Sequence, residues 1–152
     1  MIMKRLFILA VSLLTLCGCS AEKETTPPGP PEVVYFSLEE VTAAYPDLCL
    51  PRVSGGVFTD ATPYEDDLAM RYELPTGEAF VFRVFFDTDP APIAGAPRFD
   101  GEGFLLYDVQ KSSDDVDNVS IYLLVTGERH IILRLFDQAG DIETYAQLIT
   151  IE

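Results

Sequence analysis

Three cysteines, one histidine and a surplus of carboxylates are what this chain of 152 residues offers for chemistry. The histidine, His130, stands directly before the apolar run Ile131 to Leu133. A lone histidine cannot build the two-histidine sets typical of catalytic zinc, although histidine with carboxylates remains open. His130 is therefore expected as a strand-end residue rather than a catalytic one. Asp87-Thr88-Asp89 and Asp114-Asp115-Val116-Asp117-Asn118 hold enough oxygens to attract calcium, a hard cation that takes carboxylates and carbonyls. Neither has the spacing of an EF-hand, since no glycine stands where that loop turns and no glutamate closes it, so both are expected as solvated loop acids. The chain has no Gly-x-Ser-x-Gly elbow, no phosphate-cradling glycine loop and no Cys-x-x-Cys pair. No catalytic residue, metal site or cofactor is expected. The enzymatic alternative is a small carboxylate-dependent hydrolase, because two carboxylates suffice for glycoside chemistry.

Cys17 and Cys19 close an apolar N-terminal stretch. Lys4 and Arg5 give a positive start, and Leu6 to Leu16 is apolar except for Ser12 and Thr15. That is the outline of a secretory signal peptide, and its ~11 apolar residues fall short of the ~20 a membrane-crossing helix needs. Leu16-Cys17-Gly18-Cys19 resembles the lipobox of bacterial lipoproteins: an aliphatic residue, two small ones, then the cysteine that is modified. Cys17 is an unusual but small occupant of its position, and Leu16 before Cys17 would make a poor junction, which leaves Cys19. The resemblance implies cleavage before Cys19, a diacylglycerol thioether on its sulfur and an acyl chain on the new amine. Several buried chains anchor far more firmly than one, at about 0.8 kcal/mol per methylene. The resemblance also implies the cell envelope, and Ser20 in place of an aspartate favours the outer membrane if the host is Gram-negative. The alternatives are an ordinary signal peptide that happens to end in cysteine, or an N-terminal membrane anchor.

Composition narrows the partners. Without residues 1–18 the chain keeps 8 basic against 25 acidic residues, a net charge of about −17. Such a charge opposes phosphate backbones, so nucleic acid is excluded as a partner, and it opposes anionic headgroups except through the lipid anchor. With Cys19 lipidated only Cys49 remains, which rules out a disulfide framework within the domain. Its setting, Leu48-Cys49-Leu50, predicts an inert buried thiol.

The elements that would position these groups follow from periodicity. Pro27, Pro28, Pro30 and Pro31 make residues 19–36 an extended spacer after the lipidated cysteine. Ser37-Leu38-Glu39-Glu40 fits a capping box, with Leu38, Val41, Ala44 and Tyr45 on one helical face and Pro46 as the stop. A short strand is expected near Val57 to Thr59 within a loop from Asp47 to Thr62. Period two from Leu68 to Leu74, turn chemistry at Pro75-Thr76-Gly77-Glu78 and a return over Ala79 to Phe86 predict a hairpin. Residues 87–100 read as an irregular excursion, Phe104 to Gln110 as a strand, Lys111 to Asn118 as an acidic loop, and Val119 to Val125 with Arg129 to Phe136 as a second hairpin. The last segment, Ile142 to Ile149, is expected as a helix, with a strand paired to Arg129–Phe136 as the alternative.

The expected architecture is a signal peptide (1–18), a lipidated spacer (19–36) and a single α+β domain (37–152) with an antiparallel, meander-like sheet of about five strands and one or two helices. Phe80 to Phe86, Ile121 to Val125 and Ile131 to Phe136 are apolar on both alternating sets or nearly so. A sheet with one wet face alternates cleanly, so both faces of these strands are expected to be covered, by helices, by the 87–103 loop, by an apolar ligand or by a partner. The expected function is a non-catalytic binding or interaction domain for an envelope protein or apolar ligand.

Overall fold

Side-chain alternation along a twisted antiparallel sheet sorts the apolar residues into two sets, and one of the two becomes the core. The computed structural model describes residues 33–87, 93, 95–109 and 118–152. They belong to the unit Glu32–Glu152. Along the chain run α1 (Leu38–Ala44), β1 (Pro51–Val53), β2 (Val57–Pro63), β3 (Asp67–Glu73), β4 (Ala79–Phe85), β5 (Phe99–Gly101), β6 (Phe104–Asp108), β7 (Val119–Thr126), β8 (Arg129–Phe136), α2 (Ile142–Ala146) and β9 (Ile149–Ile151). The main sheet has the order β2-β3-β4-β8-β7-β6-β5, and β1 pairs with β9 in a separate ribbon. All these pairings are antiparallel. Two meanders, β2 to β4 and β5 to β8, are thus joined where β4 lies beside β8.

The domain is mostly sheet with two short helices, and the sheet has seven strands where about five are expected from the sequence. The shortfall has a local cause. β5 is three residues long inside the proline-bearing excursion, too short to show a period; β2, expected near Val57 to Thr59, runs on to Pro63. The last segment divides between the two expectations: a five-residue helix, then a strand that pairs with β1 and not with β8.

The expected local devices are present. Ser37 Oγ accepts from the Glu40 amide at 3.2 Å, and Glu40 Oε2 accepts from the Ser37 amide at 3.2 Å, which closes the capping box of α1. The β3–β4 turn is tied by the Leu74 amide on the Glu78 carbonyl at 2.9 Å, with Gly77 at φ 105°. Gly127, at φ 57°, opens the two-residue turn between β7 and β8, where Thr126 pairs with Arg129. Left-handed backbone is cheapest for glycine, so both turns are set by sequence.

Register places the core. Leu68, Val84, Ile131, Leu124 and Leu106 form one row across β3, β4, β8, β7 and β6. None of the five is more than 1% exposed. The neighbouring row holds Met70, Phe82, Leu133 and Tyr122, and the next Tyr72, Phe80 and Leu135. Each large apolar side chain removed from water contributes about 1.5–3 kcal/mol. Val41 of α1, Val53 of β1, Ile142, Tyr145 and Ala146 of α2 and Ile149 of β9 belong to the same cluster. Both helices and the ribbon therefore cover this inner face. Three tyrosine contacts fasten the cover: Tyr72 donates to the Pro51 carbonyl at 2.8 Å, Tyr145 donates to Glu78 Oε1 at 3.0 Å, and the Ala139 amide donates to the Tyr145 oxygen at 3.1 Å.

The sheet edges are blunted. Tyr35 and Ala61 exchange two backbone hydrogen bonds of 2.8 Å on the free side of β2, and a register shift interrupts that strand between Phe58 and Asp60. At the other end β5 is only three residues long, and Glu102, in the turn to β6, bridges to Thr150. Short, bulged or capped edges do not recruit another strand.

Candidate functional site

The outer face of the sheet is made by the residues one step out of phase with the core. Ala69, Arg83, Ile132, Leu123 and Tyr107 form one row across β3, β4, β8, β7 and β6. Arg71, Val81, Arg134 and Ile121 form the next, and Glu73, Ala79, Phe136 and Val119 the one beyond. None of these residues joins the core cluster or the residues packed against it. Leu123 makes the point most directly, being 5% exposed yet outside that cluster. The expectation that helices cover one side is met on the inner face, and what lies over the outer face is the functional question.

Charge on this face departs from that of the chain. The sequence has 25 acidic residues, yet the outward positions of β4, β6, β7 and β8 carry no carboxylate. They carry Arg83, Arg134 and His130. Arg83 is neutralised: its Nε donates to Asp67 Oδ1 at 2.7 Å and its Nη2 to Asp67 Oδ2, and its guanidinium lies 5.0 Å from the centroid of the Tyr64 ring. The two-pronged pair holds the Arg83 pKa above its usual value. Asp67 is itself 3% exposed, so the pair is fixed into the sheet.

Arg71 and Arg134 differ. Both are exposed, and neither has an ion-pair partner among the described residues. Asp60 stands opposite Arg71 in register without forming such a pair. The two arginines bracket Val81 in one row, two strand spacings or about 9.5 Å apart. Asp60 and Glu73 stand on the same face beside Arg71 and balance its charge, whereas Arg134 lies among the apolar outward side chains of β4 and β7. The period-two run from Leu68 to Leu74 puts Arg71 out of phase with Leu68, Met70 and Tyr72, but it does not place Arg71 beside Arg134. The hairpin turn fixes the pairing of β3 with β4, but the pairing of β4 with β8, which brings in Arg134, is decided at long range.

The residues singled out from sequence are scattered. His130 is half-buried on β8 opposite Val125, at the outer face. Cys49 is a free thiol, half-buried rather than buried, because Leu50 beside it takes the core position. Asp87 is exposed, while Thr88, Asp89 and residues 111–117 lie outside the described residues, as does Cys19. Asn118 is described: it has φ 73° and accepts from the Asp137 amide at 3.1 Å, and Asp137 has φ 54°. Among the described residues no group of three or more His, Cys, Asp or Glu is placed to hold a metal ion.

Three surface depressions each carry a single carboxylate: Asp137 beside Asn118 and Gln138, Glu39 beside Arg52, and Asp100 beside Leu105 and Val125. Hydrolysis of a glycoside by the two-carboxylate route needs a second, facing carboxylate, which none of the three supplies. Glu78 is buried, but its oxygens accept from Thr76 and Tyr145 and it serves to hold α2. No helix among the described residues is long and apolar enough to cross a membrane. No family model, curated protein or solved structure matches this chain.

Proposed function

We propose that this chain is a membrane-anchored bacterial envelope lipoprotein whose folded domain is a non-catalytic binding module that works through the outer face of its sheet. The observation that carries the reading is the segregation of charge: a strongly acidic chain keeps the outward positions of four adjacent strands free of carboxylates and fills them with apolar side chains and arginine. Solubility alone would distribute acids over that face as it does elsewhere, because a wet strand face is ordinarily polar. Aromatic residues and arginine are the side chains enriched where protein interfaces concentrate their energy. The lipobox-like Leu16-Cys17-Gly18-Cys19 supports the anchor and the address.

Two experiments test the two halves. Cys19→Ser is expected to abolish the lipid and release the domain from membranes, and retention of the variant in the membrane fraction would contradict the anchor. A photoreactive phenylalanine at Tyr107, on the outer face, is expected to crosslink in intact cells to a discrete product. The same group at Thr42, exposed on α1, is expected to give none. Equal crosslinking from both positions, or none from Tyr107, would contradict a binding face.

A further inference from the structure

We infer that the β2 edge of the sheet rests on the bilayer that carries the chain's own lipid anchor, against zwitterionic headgroups, an inference that rests on the anchor half of the reading above. Among the described residues the exposed large apolar side chains are Val33, Phe36, Val57, Tyr64 and Ile93. The first four lie along one edge. Val33 and Phe36 flank Tyr35, which exchanges backbone hydrogen bonds with Ala61 of β2, while Val57 opens β2 and Tyr64 follows its last residue, Pro63. The strand is seven residues long, or about 23 Å. Tyr35 packs against the core, whereas Phe36 beside it is 71% exposed. Single exposed apolar side chains are ordinary, but a row of them along one edge marks a contact surface.

The tether selects the occupant. The Tyr35–Ala61 pairing and the shift in β2 close this edge to another strand, so only its side chains are left to be met. The chain enters the folded domain at this same edge. Thirteen residues separate Cys19 from Val33, a reach of no more than about 50 Å. A surface tethered so closely is presented at an effective concentration on the order of millimolar, so a contact too weak to hold a free protein holds a tethered one. Phe36 and Tyr64 bring rings of the kind that settle at headgroup level. Charge then selects the headgroup: Asp60, Glu65 and Asp66 lie on or beside the same edge and oppose an anionic surface. With this edge on the bilayer the strands run along it, and β6 stands five strand spacings, or about 24 Å, away. Ile132, Leu123 and Tyr107 are then clear of the lipid and open to a partner.

The test uses the lipidated mature chain in phosphatidylcholine vesicles. The sequence has no tryptophan, so Phe36→Trp and Tyr107→Trp each supply a single fluorescent reporter. Bromine-labelled acyl chains are expected to quench Phe36→Trp at least about twofold more than Tyr107→Trp, which lies about 24 Å from the edge. Adding Val57→Glu/Tyr64→Glu to the Phe36→Trp chain is expected to reduce its quenching, and so is including phosphatidylglycerol in the vesicles. Equal quenching at the two positions, no effect of the double substitution, or quenching that grows with phosphatidylglycerol would overturn the inference. Vesicle flotation separates the failures. A chain that floats without quenching at position 36 keeps its anchor and defeats the edge contact alone, whereas a chain that does not float defeats the anchor reading as well. In intact cells a photoreactive phenylalanine at Phe36 is expected to crosslink to lipid, and a discrete protein product from that position would make a protein the occupant and the inference wrong.

Discussion

The two faces of one sheet use the same kinds of side chain to different ends. On the inner face, Leu68, Val84, Ile131, Leu124 and Leu106 lie in register beneath two helices and a ribbon, and burial is complete. On the outer face, Ile132, Leu123 and Tyr107 lie in register with no part in that core, and two arginines without ionic partners stand in the same field. The two sets therefore separate by strand phase: a residue and its neighbour in sequence belong to different faces, and only one of them joins the core. Packing holds the first set to close complementarity, because a core loses contacts with every void. The second set is the face we propose for binding.

The sharpest way to break the comparison is to cut both faces by the same chemistry. Phe82→Ala, in the fully buried row, is expected to cost about 3–5 kcal/mol in urea denaturation, through lost transfer energy and a cavity. Ile132→Ala, half-buried on the outer face, is expected to cost about 1 kcal/mol. Equal losses would mean that the outer face is a second core.

Tyr72 sharpens the inner side. Its hydroxyl is buried against the Pro51 carbonyl, and Tyr72→Phe leaves that acceptor without its donor, at an expected cost of about 1–3 kcal/mol. Burial also pushes the Tyr72 hydroxyl up to about 12 from an ordinary 10. A raised folded value means that the contribution is complete below pH 10 and is lost as pH climbs toward 12. The urea midpoint of the wild type is expected to fall more steeply over that range than that of Tyr72→Phe, and parallel curves would refute the linkage.

Glu78 gives a smaller effect with the opposite sign. The Thr76 hydroxyl, and after it the Glu78 backbone amide and the Tyr145 hydroxyl, hold its carboxyl below the usual carboxylate range. Its contribution is present at neutral pH and is lost as acid brings pH down through that lowered value. Glu78→Gln is expected to flatten the acid limb of stability against pH, and an unchanged limb would show that this carboxylate is not coupled to folding. Smallest of all, Arg71→Glu/Arg134→Glu is expected to shift stability by no more than about 0.5 kcal/mol, as exposed substitutions usually do, while it alters binding. A large loss of stability would place the arginines in the folding of the sheet instead.

Much of the sheet was legible because its signals are local. The capping box at Ser37, the turn at Pro75 to Glu78 and the period-two runs in Leu68 to Leu74 each act within a few residues. β5 and β9 were not, because three residues cannot display a period and their pairing with β6 and β1 is decided at long range. The doubly apolar strands were visible as a demand for cover on two sides, which the inner face meets with α1, α2 and the ribbon. The arginine pair was hidden because Arg71 and Arg134 lie far apart in sequence and meet only through the order β3-β4-β8.

Leu133 and Ile132 are consecutive in β8 and point to opposite faces, so a single pair of substitutions tests the division between the faces most directly. Leu133→Glu is expected to prevent folding. Ile132→Glu is expected to yield a cooperatively folded chain with a melting temperature lowered by several degrees and no crosslinked product from a photoreactive group at Tyr107. If Ile132→Glu unfolds as Leu133→Glu does, or folds and keeps the crosslink, the outer face is not the binding surface of this protein.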